Sequence, residues 1–249
     1  MEILAIIPVR GGSKGIPLKN IKPLAGRPLV AYTIDAAKNS KYVTRTVVST
    51  EDKRIKDVVL SLGCEVLDRP EELARDETKT APVLLHVVEE LEKKEGYKPD
   101  VVVLLQATCP MRDDKELDEA FEIFFENEKN GCDSVFAVKP AGLTHALWRK
   151  VPECYRTDGD SSEYECLYDY RHRPRRQDSD KHYPMFCETG ATYIIKTDVM
   201  KEVKDFIGKK PEVYTKGFCL DIDTVNDFER AAKVIEERRE NKHEKAKGN

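Results

Sequence analysis

The sequence predicts an α/β fold, a doubly wound and mostly parallel β-sheet with a smaller excursion inserted late in the chain. Three observations carry that expectation. Strand-length apolar runs alternate with amphipathic helical stretches through the first half of the chain. Several of those runs are unbroken, which suits strands buried on both faces. Regular periodicity fails between residues 141 and 187 and then returns.

Residues 3–9 form a short apolar run ended by Pro8 and Gly11, a buried parallel strand leading into a loop. Pro28 opens a helix through Ala37, with Leu29, Tyr32, Thr33 and Ala36 on one side. Residues 45–50 make a second strand. Residues 51–62 carry helical spacing through Ile55, Val58, Val59 and Leu62, closed by Gly63. A strand at 64–67, a helix at 81–94 and the strongly apolar strand 101–105 follow. Residues 114–128 place Leu117, Phe121 and Phe124 on one helical side, and 134–138 make a further strand. After the excursion we expect strands at 191–196, 212–215 and 218–222, a helix from 197 to about 206, and a last helix from Val225 to about Arg239. The expected division is therefore 1–140 with 188–240 as the main domain, 141–187 as the excursion, and 241–249 as a charged, flexible tail.

Composition narrows the function classes. At 249 residues, 40% hydrophobic and 35% charged, the chain is too apolar for general disorder and too polar for a membrane protein. It contains no apolar run of about 18 residues, and the N-terminal stretch has neither a basic leader nor a small-residue cleavage site, so a cytoplasmic location is expected. The net charge of -4 argues against general nucleic-acid binding. Seven widely spaced cysteines with no CxxC pair argue against zinc and against a disulfide framework.

Three clusters carry chemistry. The loop Arg10-Gly11-Gly12-Ser13-Lys14-Gly15-Ile16-Pro17-Leu18-Lys19-Asn20 follows the first strand, where glycines admit phosphate oxygens close to the main chain and three cations can balance a polyphosphate. It matches neither GxxxxGK[ST] nor GxGxxG, and an isolated glycine turn with solvated lysines is the plainer alternative. Asp221 and Asp223 stand two apart, so on extended chain both carboxylates point to one side and suit a hard divalent cation. The alternative makes one aspartate a helix cap and the other a lysine partner. Arg171, Arg173, Arg175 and Arg176 fall within six residues of the excursion and match a small anion better than a nucleic acid in an acidic chain.

Taken in order, these pieces resemble the N-acylneuraminate cytidylyltransferase family, the CMP-sialic acid synthetases. The resemblance runs from Ile3 to about Glu236. It rests on the 10–20 loop, Arg69-Pro70-Glu71-Glu72-Leu73-Ala74, Leu105-Gln106-Ala107-Thr108-Cys109-Pro110-Met111-Arg112, Arg175-Arg176-Gln177-Asp178, Glu188-Thr189-Gly190-Ala191 and Asp221-Ile222-Asp223-Thr224. It implies a Rossmann-like nucleotidyltransferase fold and activation of an acidic nine-carbon sugar by CTP. Arg10, Gly11, Gly12, Ser13, Lys14, Lys19 and Asn20 would hold the triphosphate, with Arg69 and Thr80 near the base. Gln106, Arg175, Gln177, Thr189 and Gly190 would meet the sugar acid. Asp221 and Asp223 would bind Mg²⁺, and the excursion would make a homodimer. Two departures stand out. Thr189 replaces an asparagine common in the family, which points to an acceptor other than N-acetylneuraminic acid, and Ala107 and Cys109 stand where proline and serine are frequent. Rival readings are a CTP- or GTP-dependent synthetase for legionaminic or pseudaminic acid, and a non-catalytic nucleotide-sugar binding module. A 3-deoxy-manno-octulosonate synthetase is less favoured because its first loop reads differently.

Overall fold

The computed structural model describes residues 1–12, 15–141, 148–150, 164–166, 171 and 186–247. The apolar runs become the strands β1 (Ile3–Pro8), β4 (Arg45–Thr50), β5 (Glu65–Asp68), β6 (Val101–Leu105), β7 (Ser134–Pro140), β10 (Phe186–Lys196) and β11 (Pro211–Tyr214). They join one seven-stranded sheet in the order β11-β7-β10-β6-β1-β4-β5. The pairs β1–β4, β1–β6, β4–β5 and β7–β11 are parallel, whereas β10 runs antiparallel to β6.

Strand periodicity and two helix layers explain the core. Ile3, Ala5 and Ile7 of β1 pack into one cluster with the helices α1 (Leu29–Asn39), α2 (Lys53–Ser61) and α4 (Asp114–Glu128), through Val30, Ile55, Val59, Phe121 and Phe124. Leu4 and Ile6 point the other way, into a cluster with α3 (Thr80–Glu95) and Met200 of α5 (Thr197–Val203). A central strand buried on both faces must read as an unbroken apolar run, as β1 and β6 do.

The helix ends follow local chemistry. Asp52 accepts the Arg54 N–H at 2.8 Å and caps α2, and Asp113 accepts the Glu116 N–H at 2.9 Å and caps α4. Gly96, at φ 68°, ends α3 in the left-handed conformation. A two-residue ladder, β2 (Pro23–Leu24) with β3 (Arg27–Pro28), closes through Ala25 and Gly26, both at positive φ. The last helix, α6 (Val225–Lys247), continues past Arg239, since Glu, Lys and Ala extend a helix without needing apolar contacts.

One expected strand is absent. Residues 215–224 take no regular structure, although Leu220 and Ile222 are buried as alternation predicted. Their partners are loop and helix side chains. With Ile16, Leu24, Leu29, Met111, Phe228, Ala231 and Ile235 they form a third apolar cluster. The segment is fixed to the β6 side by one backbone bond, Ile222 N–H to Thr108 O at 2.9 Å.

Two compact units result, Met1–Ala137 with Glu188–Asn249, and Val138–Cys187. The second contains an antiparallel pair, β8 (Trp148–Lys150) with β9 (Tyr164–Cys166). Among the described residues, no helix is long and apolar enough to cross a membrane.

Candidate active site

The chain leaves β1 for β4 and β5 on one side and later returns as β6 on the other, which makes a switch point at the carboxyl ends of β1 and β6. A cavity of about 510 Å³ opens there, within the usual range for small-molecule sites. Arg10, Gly15, Lys19 and Asn20 reach it from the first loop, Arg69 from the end of β5, and Thr80 from the start of α3. Gln106, Ala107 and Thr108 follow β6, and Asp223 closes the wall from the last loop. Seven residues singled out in the sequence as site candidates thus meet in one crevice: Arg10, Lys19, Asn20, Arg69, Thr80, Gln106 and Asp223. Ser13, Lys14, Arg175 and Gln177 lie outside the described residues.

Charge in the crevice is one-sided. Arg10, Lys19, Arg69, Arg75 and Lys79 supply five cations against the two acids Asp76 and Asp223, so the site suits a polyanion. Arg10 Nη1 pairs with Asp76 Oδ1 at 2.6 Å. Arg69 is buried, donating to Ser49 O at 2.5 Å and to Ser49 Oγ at 3.2 Å. Burial pulls its guanidinium down to about 10. Thr80 is the first residue of α3 rather than its cap, because Lys79 occupies the cap position without a side-chain bond. The free N–H groups of that helix start add to the anion-binding potential.

The glycine loop and the acidic segment are joined directly. Lys19 Nζ donates to Ile222 O and lies 3.6 Å from Asp223 Oδ1. Gly15 packs so tightly that a Cβ there would sit 2.8 Å from Asp223 O. The helix-cap alternative for the aspartates does not hold. Thr224 Oγ1 accepts the Asp227 N–H at 3.2 Å, and Asp227 Oδ2 accepts the Thr224 N–H at 2.8 Å, so this reciprocal pair caps α6. The lysine-partner alternative does hold, for Asp223.

Asp221 and Asp223 are both exposed, on either side of buried Ile222. Asp223 lines the cavity. Asp221 instead accepts from the Cys109 thiol at 3.9 Å, and Cys109 in turn lies 3.1 Å from Cys219 Sγ. That thiol contact and burial push Cys109 well above the usual thiol range. Among the described residues no group of three or more His, Cys, Asp or Glu side chains converges on one point. Carboxylate oxygens are the hard donors that Mg²⁺ takes, with water and phosphate oxygens completing its shell; of the two aspartates, Asp223 is the one that lines the cavity.

Other candidates are not among the residues that line the cavity. Gly11 gives its N–H to Glu51 Oε1 at 2.7 Å, and among the described residues nothing lies within 4 Å of a Cβ added to Gly12. Thr189 is buried, donating to Ala137 O at 3.1 Å, and Gly190, at φ 74°, faces Gln106. Sequence reasoning missed Arg75, Asp76 and Lys79. Their signal was a dense charge run, Arg75 to Lys79, directly before a helix start at the ligand edge of the sheet.

Comparison with known proteins agrees with this geometry. A family model described as cytidylyltransferase matches residues 4–243. N-acylneuraminate cytidylyltransferase A of Danio rerio is 35% identical over 228 residues, covering 89% of this chain and 49% of that protein. CMP-N,N'-diacetyllegionaminic acid synthase of Legionella pneumophila is 32% identical over 240 residues, covering 95% of this chain and 97% of that protein. The chain spans about half the length of several curated relatives, including the Danio rerio protein and the Escherichia coli N-acylneuraminate cytidylyltransferase. Among solved structures, a CMP:2-keto-3-deoxy-manno-octonic acid synthetase complexed with CTP superimposes with a TM-score of 0.67 at 15% identity, covering 96% of this chain and 100% of that one, a likeness of fold. With its sheet, its cationic crevice and a family match along almost its whole length, the chain belongs to the cytidylyltransferase family.

Proposed function

We propose that the protein transfers a cytidylyl group from CTP to the anomeric hydroxyl of an acidic nine-carbon 2-keto sugar. One observation carries the reading: five cations and Asp223 line one crevice at the switch point of the sheet. In the reaction the sugar oxygen bonds to the α-phosphorus and gives up its hydroxyl proton to solvent, the bond from that phosphorus to the bridging oxygen breaks, and pyrophosphate leaves with the electron pair. Arg10 and Lys19, together with Lys14, oppose the charge that grows on the leaving group. Arg69 and Thr80 serve the base side, and Gln106 the sugar acid, with Arg175, Gln177, Thr189 and Gly190 as further acceptor contacts. Asp221 and Asp223 would hold Mg²⁺, which supplies charge neutralisation at the phosphates. The charge of the phosphates and of the sugar carboxylate matches the cation surplus of the wall. The reading extends to a homodimer built through the second unit and to work in the cytoplasm.

Relatives named for N,N'-diacetyllegionaminic acid and pseudaminic acid, at 32% and 31% identity, define the panel of acceptors to test beside N-acetylneuraminic acid. Pyrophosphate release is measured with each of the four nucleoside triphosphates, Mg²⁺ and each sugar acid. Release with CTP and one of these acids is the expected result. Release with GTP alone overturns the nucleotide assignment, and release with no pair overturns the reaction.

A further inference from the structure

The loop at the crevice mouth rests on an acidic dipeptide at the end of β4. Glu51 Oε1 accepts the Gly11 N–H at 2.7 Å. Asp52 packs beneath the same residue, so closely that a Cβ on Gly11 would meet Asp52 Oδ2 at 2.3 Å. Asp52 is held in turn, since it caps α2 and pairs with Arg54 Nη2 at 2.5 Å. Strand β4 fixes the rest of the floor: Ser49 O accepts the Val9 N–H at 2.9 Å, and Thr50 O accepts the Arg69 N–H at 3.0 Å.

Glu51 is unusual in this setting. Its second oxygen, Oε2, is buried and has no hydrogen-bond partner among the described residues. An acid left half-satisfied in a protein interior costs stability, and a phosphate-binding loop gains nothing from a nearby negative charge by attraction alone. Arg69 supplies the balance, since Glu51 opposes the loss of charge that burial imposes on that guanidinium. What Glu51 contributes in return is aim. Its carboxylate holds the Gly11 N–H, which fixes the chain directly after Arg10, a residue that lines the cavity.

We propose that Glu51 is a positioning residue for the triphosphate: its carboxylate pins Gly11 and so sets the neighbouring Arg10 in the crevice before nucleotide arrives. This rests on the nucleotidyl-transfer reading above. It predicts a split that a merely structural role would not produce. Glu51→Asp withdraws the acceptor by one methylene and keeps the charge, so it weakens CTP binding by about tenfold, the scale of one lost hydrogen bond to a charged group. CMP, which has a single phosphate, binds the variant within about twofold of the unaltered protein. Glu51→Gln keeps an acceptor oxygen for Gly11 and restores CTP binding to within about threefold.

Isothermal titration calorimetry without sugar acid measures these affinities, and the melting temperature of each variant checks folding. Equal weakening of CTP and CMP in Glu51→Asp overturns the proposal. So does unchanged CTP affinity, and so does a Glu51→Gln variant as weak as Glu51→Asp. If the unaltered protein binds none of the four triphosphates, the functional reading falls and this proposal falls with it. If it binds CTP and the variants show no split, only the proposal falls.

Discussion

Two adjacent glycines in the first loop look interchangeable in the sequence and differ in the structure. A Cβ on Gly12 meets nothing within 4 Å among the described residues. A Cβ on Gly11 would lie 2.3 Å from Asp52 Oδ2, 2.9 Å from its Cβ and 3.0 Å from its Cγ, whereas ordinary contact starts at 3.4 Å. Rotation of the Asp52 side chain can move Oδ2 away but not the Cβ at 2.9 Å, so the two chains must still separate by about 0.5 Å. If Asp52 yields, the α2 cap is lost, worth about 1 kcal/mol and about 2–4 °C in melting temperature for a chain of this size. If the loop yields, Arg10 leaves its place in the crevice, and misplacement approaching 1 Å costs up to about 100-fold in rate. Gly11→Ala is thus expected to lower the melting temperature, kcat/KM for CTP, or both, while Gly12→Ala matches the unaltered protein. Asp52→Gly removes all three contacting atoms and keeps a tolerable cap, so the double variant Gly11→Ala with Asp52→Gly recovers. Thermal melts and pyrophosphate release measure both quantities. A Gly11→Ala protein indistinguishable from Gly12→Ala, or a double variant no better than Gly11→Ala, refutes the reasoning.

Three further outcomes follow from the same geometry. Asp223→Asn lowers turnover by orders of magnitude, as expected where several kcal/mol of metal-assisted charge stabilisation is lost, and near-normal turnover would remove Asp223 from the chemistry. Gly15→Ala places a Cβ 2.8 Å from the Asp223 carbonyl oxygen, which no side-chain rotation relieves; a fall of at least about tenfold in kcat/KM is expected, and an unchanged rate contradicts it. Gly190→Ala forces a side chain onto φ 74°, costing about 1–2 kcal/mol as a lower melting temperature. Its nearest neighbour, Gln106 Oε1, would stand at an ordinary 3.6 Å, so the KM for CTP should hold, and a large rise in that KM would show Gly190 acting on the nucleotide side.

Legibility in the sequence tracked the strength of local signals. The doubly buried strands β1 and β6 announced themselves as unbroken apolar runs, and the apolar spacing of Leu117, Phe121 and Phe124 gave α4. Arg10, directly after the first strand, was readable because ligand position in an open α/β sheet follows from topology, whereas Gln106 was singled out through the family resemblance. What depended on long-range partners was not readable. Alternation at Leu220 and Ile222 looked like a strand, yet those side chains are buried by loops and α6, with no neighbouring strand to pair. The antiparallel direction of β10 is decided by where the chain re-enters the sheet, which no local pattern records. Arg75 and Lys79 were not singled out, because nothing local says that the segment before α3 lines the crevice. The pairing of Asp221 with Cys109 links residues 112 positions apart.

The third apolar cluster ties Ile16, at the start of the chain, to Phe228, Ala231 and Ile235, near its end. Nascent polypeptide emerging from a ribosome therefore lacks a floor under Asp223 until at least Ile235 has cleared the exit tunnel. The sheet has all its strands by Tyr214, so the scaffold can assemble during synthesis while the crevice is the last part to be completed.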